Sequence, residues 1–285
     1  MQIFLILNYW TFCTIRFFRF RRILQFIFSL GDRLPQNIGD NSAIIRISRA
    51  HVGHNPKKNE KRVSKMAKYS IRTDLACESE AVHDAGKNGT EYTEKDCDGF
   101  RVARLTVQNE VGERATGKRR GTYVTIFSEL LCDEGEDRLD ALAALVAEEI
   151  GALAENLLCG EPRCVLVAGL GNREITADCI GPKTVDKLTV TRHIRVHDEA
   201  LFNRFCRVPL CAIAPGVLGQ TGIETAELLG GVLDCAKPDL VLAVDALAAR
   251  SVKRLGATVQ ISDAGIFPGS GIGNRRSEIS RESLG

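Results

Sequence analysis

Two short apolar runs bounded by turn residues, Val165–Leu170 and Leu240–Val244, constrain what this chain can fold into more than any other feature. Apolar runs of that length without alternation are strands buried on both faces, and such strands belong to parallel sheets covered by helices. Helical signals surround them. Leu142, Leu145, Val146, Ile150, Leu153 and Leu157 recur at helical spacing across Leu139–Leu158, and Gly160-Glu161-Pro162 stops the pattern. Beyond Val165–Leu170 the sequence predicts a glycine loop, a short helix near Pro182–Leu188 and a strand at Pro209–Ala214. A helix from Glu224 to Ala236 follows, with Thr221 as its cap and Lys237-Pro238 as its break, and then a strand over Asp239–Val244. This β/α alternation implies an α/β fold with a mostly parallel sheet flanked by helices. Period-two alternation at Phe100–Val107 and Thr122–Phe127 adds a small β-containing region, and Thr258–Ser262 reads as a further strand. The link Asn109–Gly121 is turn-like and basic.

Each of the two apolar runs leads to one aspartate. The first passes through Gly171-Asn172-Arg173-Glu174-Ile175-Thr176-Ala177 to Asp178, and the second ends at Asp245. Ligands and chemistry in open α/β sheets gather outside the carboxyl ends of the strands, so these acids can face each other across one crevice. Each also has a plainer reading as a helix N-cap, Asp178 ahead of Gly181-Pro182 and Asp245 ahead of Ala246–Arg250. Gly169-Leu170-Gly171-Asn172-Arg173-Glu174 invites a dinucleotide-binding reading, but the third glycine of that fingerprint is missing, and a tight strand-to-loop turn accounts for it better. The glycine-rich stretch Phe267–Asn274 does not fit a nucleophile elbow around Ser270. His193 and His197 share the segment Thr191–His197 and read as structural or surface residues.

Composition removes several classes of function. Thirty-eight Lys and Arg against thirty-six Asp and Glu leave a net charge of +2, too small to point to nucleic acid or an anionic membrane surface. Ten cysteines without a C-x-x-C pair, many within or beside apolar runs, read as reduced thiols, and five dispersed histidines do not make a zinc cluster. Residues 1–65 differ from the rest: seven of the twelve Phe and the only Trp lie in the first thirty positions. Arg16, Arg19, Arg21 and Arg22 interrupt that apolar stretch, so neither piece reaches the roughly 20 apolar residues that span a bilayer. A polar stretch ending in Lys57-Lys58-Asn59-Glu60-Lys61-Arg62 follows, and Met66 opens more protein-like sequence. Residues 1–65 are therefore expected to stand outside the fold as a non-native or disordered extension.

From Tyr69 onward the segments Tyr69–Ala76, Gly169–Asn172, Thr176–Lys183, Val190–His193, Ala212–Val217, Thr221–Thr225, Ala243–Arg250, Gln260–Ile266 and Pro268–Asn274 follow in order, as far as Gly285. Together they resemble the germination protease family of endospore-forming bacteria. The resemblance implies an endopeptidase of the cytoplasm of the forespore and spore core that degrades small acid-soluble spore proteins at germination. It implies Asp178 and Asp245 as catalytic acids of an aspartic-type reaction, no cofactor, assembly into a homo-oligomer, and no direct contact with nucleic acid or membrane. It further implies a fold similar to the hydrogenase-maturation endopeptidases, with a phosphorylase/hydrolase-like core. Family members remove their own N-terminal segment at a site of acidic residue, apolar residue, cut, Ala and, two on, Glu. Thr73-Asp74-Leu75-Ala76-Cys77-Glu78 matches, so 66–75 reads as a propeptide-like segment cut between Leu75 and Ala76, and 76–285 as a C-terminally truncated peptidase domain. Two alternatives stand beside this reading. In one, Asp178 and Asp245 ligate a divalent ion; in the other, the chain is an inactive remnant.

Overall fold

A computed structural model of the chain describes residues 2–8, 73–79, 89–128, 135–158, 160, 162–266 and 277–284. Its centre is one eight-stranded sheet. The strands are β1 (Gln2–Asn8), β2 (Thr90–Cys97), β3 (Phe100–Val107), β4 (Gly121–Phe127), β5 (Val165–Gly169), β6 (Leu210–Ile213), β7 (Leu240–Leu247) and β8 (Thr258–Ser262), in the spatial order β2-β3-β4-β8-β1-β7-β5-β6. The helices are α1 (Glu110–Thr116), α2 (Glu136–Leu157), α3 (Ile180–Val185), α4 (Arg192–His197), α5 (Glu199–Phe205), α6 (Leu218–Thr221), α7 (Thr225–Ala236) and α8 (Arg281–Leu284).

The sheet is mixed, which corrects the mostly parallel one read from the sequence. Strands β1, β7, β5 and β6 run parallel to their neighbours in that half, whereas β2, β3, β4 and β8 pair antiparallel. The β2–β3 connection shows the cause. Asp98 and Gly99, with φ of 52° and 76°, make a two-residue turn, and a link that short can join only antiparallel strands.

Side chains alternate across the sheet with period two and separate two cores. Leu240, Leu242 and Val244 of β7, with Val124, Ile126, Val165, Val167, Val259 and Ile261, pack against Leu139, Leu142, Val146, Ile150 and Leu153 of α2. On the opposite face, Ala243 and Leu247 join Ala168, Leu170, Leu229 of α7, Ile266, Ile279 and Leu75. Burying each Leu, Ile or Val contributes about 1.5–3 kcal/mol, so α2 and α7 are held on opposite faces by the sheet between them. Asp245 lies between Ala243 and Leu247 and therefore belongs to the second face.

Gln2–Asn8, within the stretch expected to stand outside the fold, is a central strand. It pairs parallel with β7, from Gln2 beside Val241 to Asn8 beside Leu247, and antiparallel with β8. β7 and β8 do not pair with each other, so a slot one strand wide separates them, and this apolar run fills it. Met66, the remainder of the propeptide-like segment up to Arg72, and the Phe267–Asn274 loop with Ser270 lie outside the described residues. Among the described residues, no helix is long and apolar enough to cross a membrane.

Candidate active site

The two apolar strands end side by side. β5 and β7 pair in parallel with Gly169 beside Val244, and the Leu170 N–H donates to the Val244 carbonyl at 2.8 Å. Beyond this pair β5 leaves the sheet, which opens the carboxyl-end crevice of the parallel half beside β7. β7 continues through Asp245 to Leu247 instead of ending there, so Asp245 is a strand residue and caps no helix. Asp178 closes a short 3-10 turn, Thr176–Asp178, and Cys179, not Asp178, occupies the N-cap position of α3. Neither capping reading holds. Cα atoms of the Asp178 turn lie within 8 Å of β7, so the chain segments bearing the two acids, 67 residues apart in sequence, meet at one place.

Glycines permit this approach. Gly171 has φ +110°, and a Cβ there would lie 2.1 Å from the Asp178 carbonyl oxygen and 2.9 Å from Asp178 Oδ1. At Gly181 a Cβ would stand 2.2 Å from the Leu170 oxygen and 2.5 Å from the Val244 oxygen. The glycine loop thus serves close backbone packing of the Asp178 turn onto the strand ends, as the strand-to-loop reading expects. Asn172, which the sequence reading did not single out, fixes the acid: its N–H donates to Asp178 Oδ2 at 2.8 Å. Its side-chain oxygen accepts from the Glu174 N–H at 3.0 Å and from Gln220 Nε2 at 2.8 Å, tying the loop to α6. Asp245 Oδ1 accepts from the Ala246 N–H at 2.8 Å.

Leu75 and Ala76 lie on the same face of the sheet, and both are 0% exposed. Leu75 enters the cluster that contains Leu170, Ala243 and Leu247, so it packs among the neighbours of Asp245. Ala76 occupies a separate seat with Leu105, Val107, Tyr123 and Ala264. The backbone around them is fastened on both sides. Gln260, 1% exposed, donates from Nε2 to the Asp74 carbonyl at 3.1 Å and accepts the Ala76 N–H on Oε1 at 2.8 Å. Lys118 Nζ donates to the carbonyls of Thr73 and Asp74 at 3.2 and 3.0 Å. The Asp74 N–H donates to the Ala248 carbonyl at 2.8 Å, and the Ala248 N–H returns to Asp74 Oδ2 at 2.9 Å. Glu78, its side chain 5% exposed, accepts from the N–H groups of Arg250 and Ser251 at 2.9 and 3.2 Å and pairs with Arg254 Nε at 3.1 Å. Gln260 and Lys118 escaped the sequence reading. A buried glutamine in the middle of a strand is the one signal that could have flagged the first.

His193 and His197 are exposed on α4, consistent with a surface role. Among the described residues, no three His, Cys, Asp or Glu side chains converge as a metal-holding group. The described cysteines are free thiols. The Cys164 thiol is drawn down to about 7 by its hydrogen bond with Cys211, with Arg192 adding to the effect, and Cys211 is pushed up in return.

A family model described as germination protease matches residues 70–285. Germination proteases of Priestia megaterium and Bacillus subtilis are each 40% identical to this chain, over 230 and 225 residues, covering 77% and 76% of it and 61% and 60% of their own lengths. The germination protease of Caldanaerobacter subterraneus is 44% identical over 216 residues, covering 75% of this chain and 65% of that protein. The chain thus spans less than two thirds of the length of these relatives. The matched stretch contains both aspartates, the glycine turn and the fastened Asp74–Glu78 segment. The chain belongs to the germination protease family.

Proposed function

We propose that the protein is an aspartic-type endopeptidase that starts the degradation of small acid-soluble spore proteins during germination, acting in the spore core as a homo-oligomer. The observation that carries this reading is the meeting of the Asp178 turn with the end of β7 at the carboxyl edge of the parallel strands. In this reading the two carboxylates act as a close pair, which does not ionise twice, so the pair shares one proton. The ionised member takes a proton from water while the water oxygen attacks the peptide carbonyl carbon. The protonated member gives its proton to the carbonyl oxygen. On collapse of the tetrahedral intermediate the C–N bond breaks, one hydroxyl returns its proton to the carboxylate that had acted as acid, and the amine leaves with the proton that the base had taken. The pair titrates as a unit, so the two roles are not assigned to individual residues.

The same reading makes the chain a zymogen that cuts its own Leu75–Ala76 bond, and it relates the fold to hydrogenase-maturation endopeptidases. Support for the processing site is the match of Asp74-Leu75-Ala76-Cys77-Glu78 to the family's pattern and the packing of Leu75 among the neighbours of Asp245. Incubation of the full chain with a purified small acid-soluble spore protein, followed by mass spectrometry of the products, tests the proposal. Cleavage before Ala in acidic-apolar-Ala contexts is expected, with Asp178→Asn and Asp245→Asn each lowering the rate by about 10²–10⁴-fold. Cleavage at an unchanged rate in both variants would remove these acids from catalysis.

A further inference from the structure

The Thr73–Glu78 segment occupies a site built from the rest of the chain, and the half of that site on the Leu75 side adjoins Asp245. Asp245 shares its sheet face with Ala243 and Leu247, which flank it at i−2 and i+2, and Leu170 follows Gly169 on the neighbouring strand. Leu75 belongs to the same buried cluster as all three. Gln260 lies on the same row, because Ile6 pairs with both Gln260 and Asp245, and direct partners project to the same face. Its carboxamide spans Leu75, donating to the carbonyl before it and accepting the N–H after it, as the edge of an adjoining strand would. A polar side chain buried to this extent and satisfied only by a docked segment is a backbone receptor.

The charge in the seat is equally specific. Burial pulls the Lys118 ammonium below its usual pKa, and the Asp74 carboxylate opposes that shift most strongly. With Asp74 gone, a half-buried ammonium keeps its desolvation cost and loses its nearest compensation, and the Ala248 N–H loses its acceptor. The emptied seat therefore calls for an anion beside an apolar side chain.

We propose that the seat of Asp74 and Leu75 is the substrate subsite that reads an acidic residue followed by an apolar one. Leu170, Ala243 and Leu247 hold the apolar side chain beside Asp245, Gln260 and Lys118 hold the backbone, and the Ala248 N–H takes the acid. This rests on the protease reading above. The chain's own segment fills the subsite until the Leu75–Ala76 bond is cut, after which the Asp74–Leu75 half leaves, while Glu78 keeps Ala76–Glu78 anchored through Arg254.

The test uses the full chain with Leu75→Asp, which puts a carboxylate into the apolar seat and drives the segment out. Leu75→Ala serves as a milder second variant should the first fail to fold. The probe is a fluorescent acetyl-Arg-Thr-Asp-Leu-amide peptide, read by polarisation. Binding to the variant about tenfold or more tighter than to the unaltered chain, and about tenfold or more tighter than that of the same peptide ending in Lys, is expected. Adding Lys118→Met should weaken it about tenfold. No binding, or equal affinity for the Leu and Lys peptides, in a variant with native circular dichroism overturns the proposal. Mass spectrometry of the unaltered chain separates the two readings: Leu-selective binding without any cut at Leu75–Ala76 upholds the subsite and counts against self-processing.

Discussion

Asp263 controls where the antiparallel half of the sheet joins β8. Its Oδ1 accepts the Thr122 N–H at 2.6 Å, and its own N–H donates to the Thr122 carbonyl at 3.3 Å. Burial holds its carboxyl above the ordinary 3.8, with the Thr122 hydrogen bond and Arg104 opposing the shift. A raised carboxyl pKa means that the folded state binds more protons than the unfolded one between the two values. Its contribution to stability is therefore fully present below pH 3.8 and is lost as pH rises through the folded value. Asp263→Asn keeps an acceptor for the Thr122 N–H but cannot ionise. In urea titrations, the unaltered protein should lose stability relative to this variant between pH 3.5 and 7, and parallel curves over that range would show that Asp263 is not held above its normal value. At this scale the sequence singles out residues by their place after a strand or in a motif: Asp178 and Asp245 beyond apolar runs, Leu75 and Ala76 in a six-residue pattern. Gln260 and Lys118 do not show themselves, because their partners are 184 and 44 residues away and only the tertiary fold brings them together.

Elements are legible when one face is buried and illegible when both are wet. α2 and β8 carry clear periodicity and lie close to where the sequence places them, with β8 at Thr258–Ser262 and α2 extended from Leu139 back to Glu136. β2 was missed. Its middle residues are mostly exposed, it carries Glu91, Glu94, Lys95 and Asp96, and such charges protect the free edge of a sheet at the expense of any apolar pattern. The clue was the turn chemistry of Asp98-Gly99. α1 was missed within a link read as turn, although Asn109 caps it, accepting on Oδ1 from the Val111 and Gly112 N–H groups at 3.0 and 3.1 Å. A contact that no periodicity reveals joins α2 to the antiparallel half. Glu149, 4% exposed in the helix, accepts from Arg104 of β3 and lies 3.6 Å from Lys95 Nζ of β2. Glu149→Ala leaves the half-buried Arg104 guanidinium without this acceptor and should cost about 1.5–3 kcal/mol in denaturant unfolding. The double change Glu149→Ala with Arg104→Ala should cost less than the sum of the two single changes.

Among the described residues, the two halves of the sheet are joined by a strand outside the region that the family model matches, since that region begins at residue 70 and β1 ends at Asn8. β7 carries Asp245 and belongs to the parallel half; β8 carries Gln260 and belongs to the antiparallel half; among the described residues, β1 is the strand between them in the sheet order. The relative position of Asp245 and Gln260 is thus set through the β1 backbone, from Asp245 to Ile6 to Gln260. Composition does not distinguish these cases, because a run such as Gln2-Ile3-Phe4-Leu5-Ile6-Leu7-Asn8 looks the same whether it serves a bilayer, an unstructured extension or a sheet, and its pairing partners lie more than 230 residues away. Proline tests this through the backbone alone. Leu5 pairs with Val244 on one side and Ile261 on the other, so a proline there loses a ladder bond that no edge position can absorb, whereas the first residue of a strand tolerates it. Leu5→Pro should destabilise the fold by about 3 kcal/mol and speed hydrogen exchange at Val244 and Ile261 together, while Gln2→Pro should stay within about 0.5 kcal/mol of the unaltered chain. Equal stability and equal exchange in the two variants would mean that β7 and β8 hold their places without β1, and that the line from Asp245 to Gln260 is set by the helices on either face.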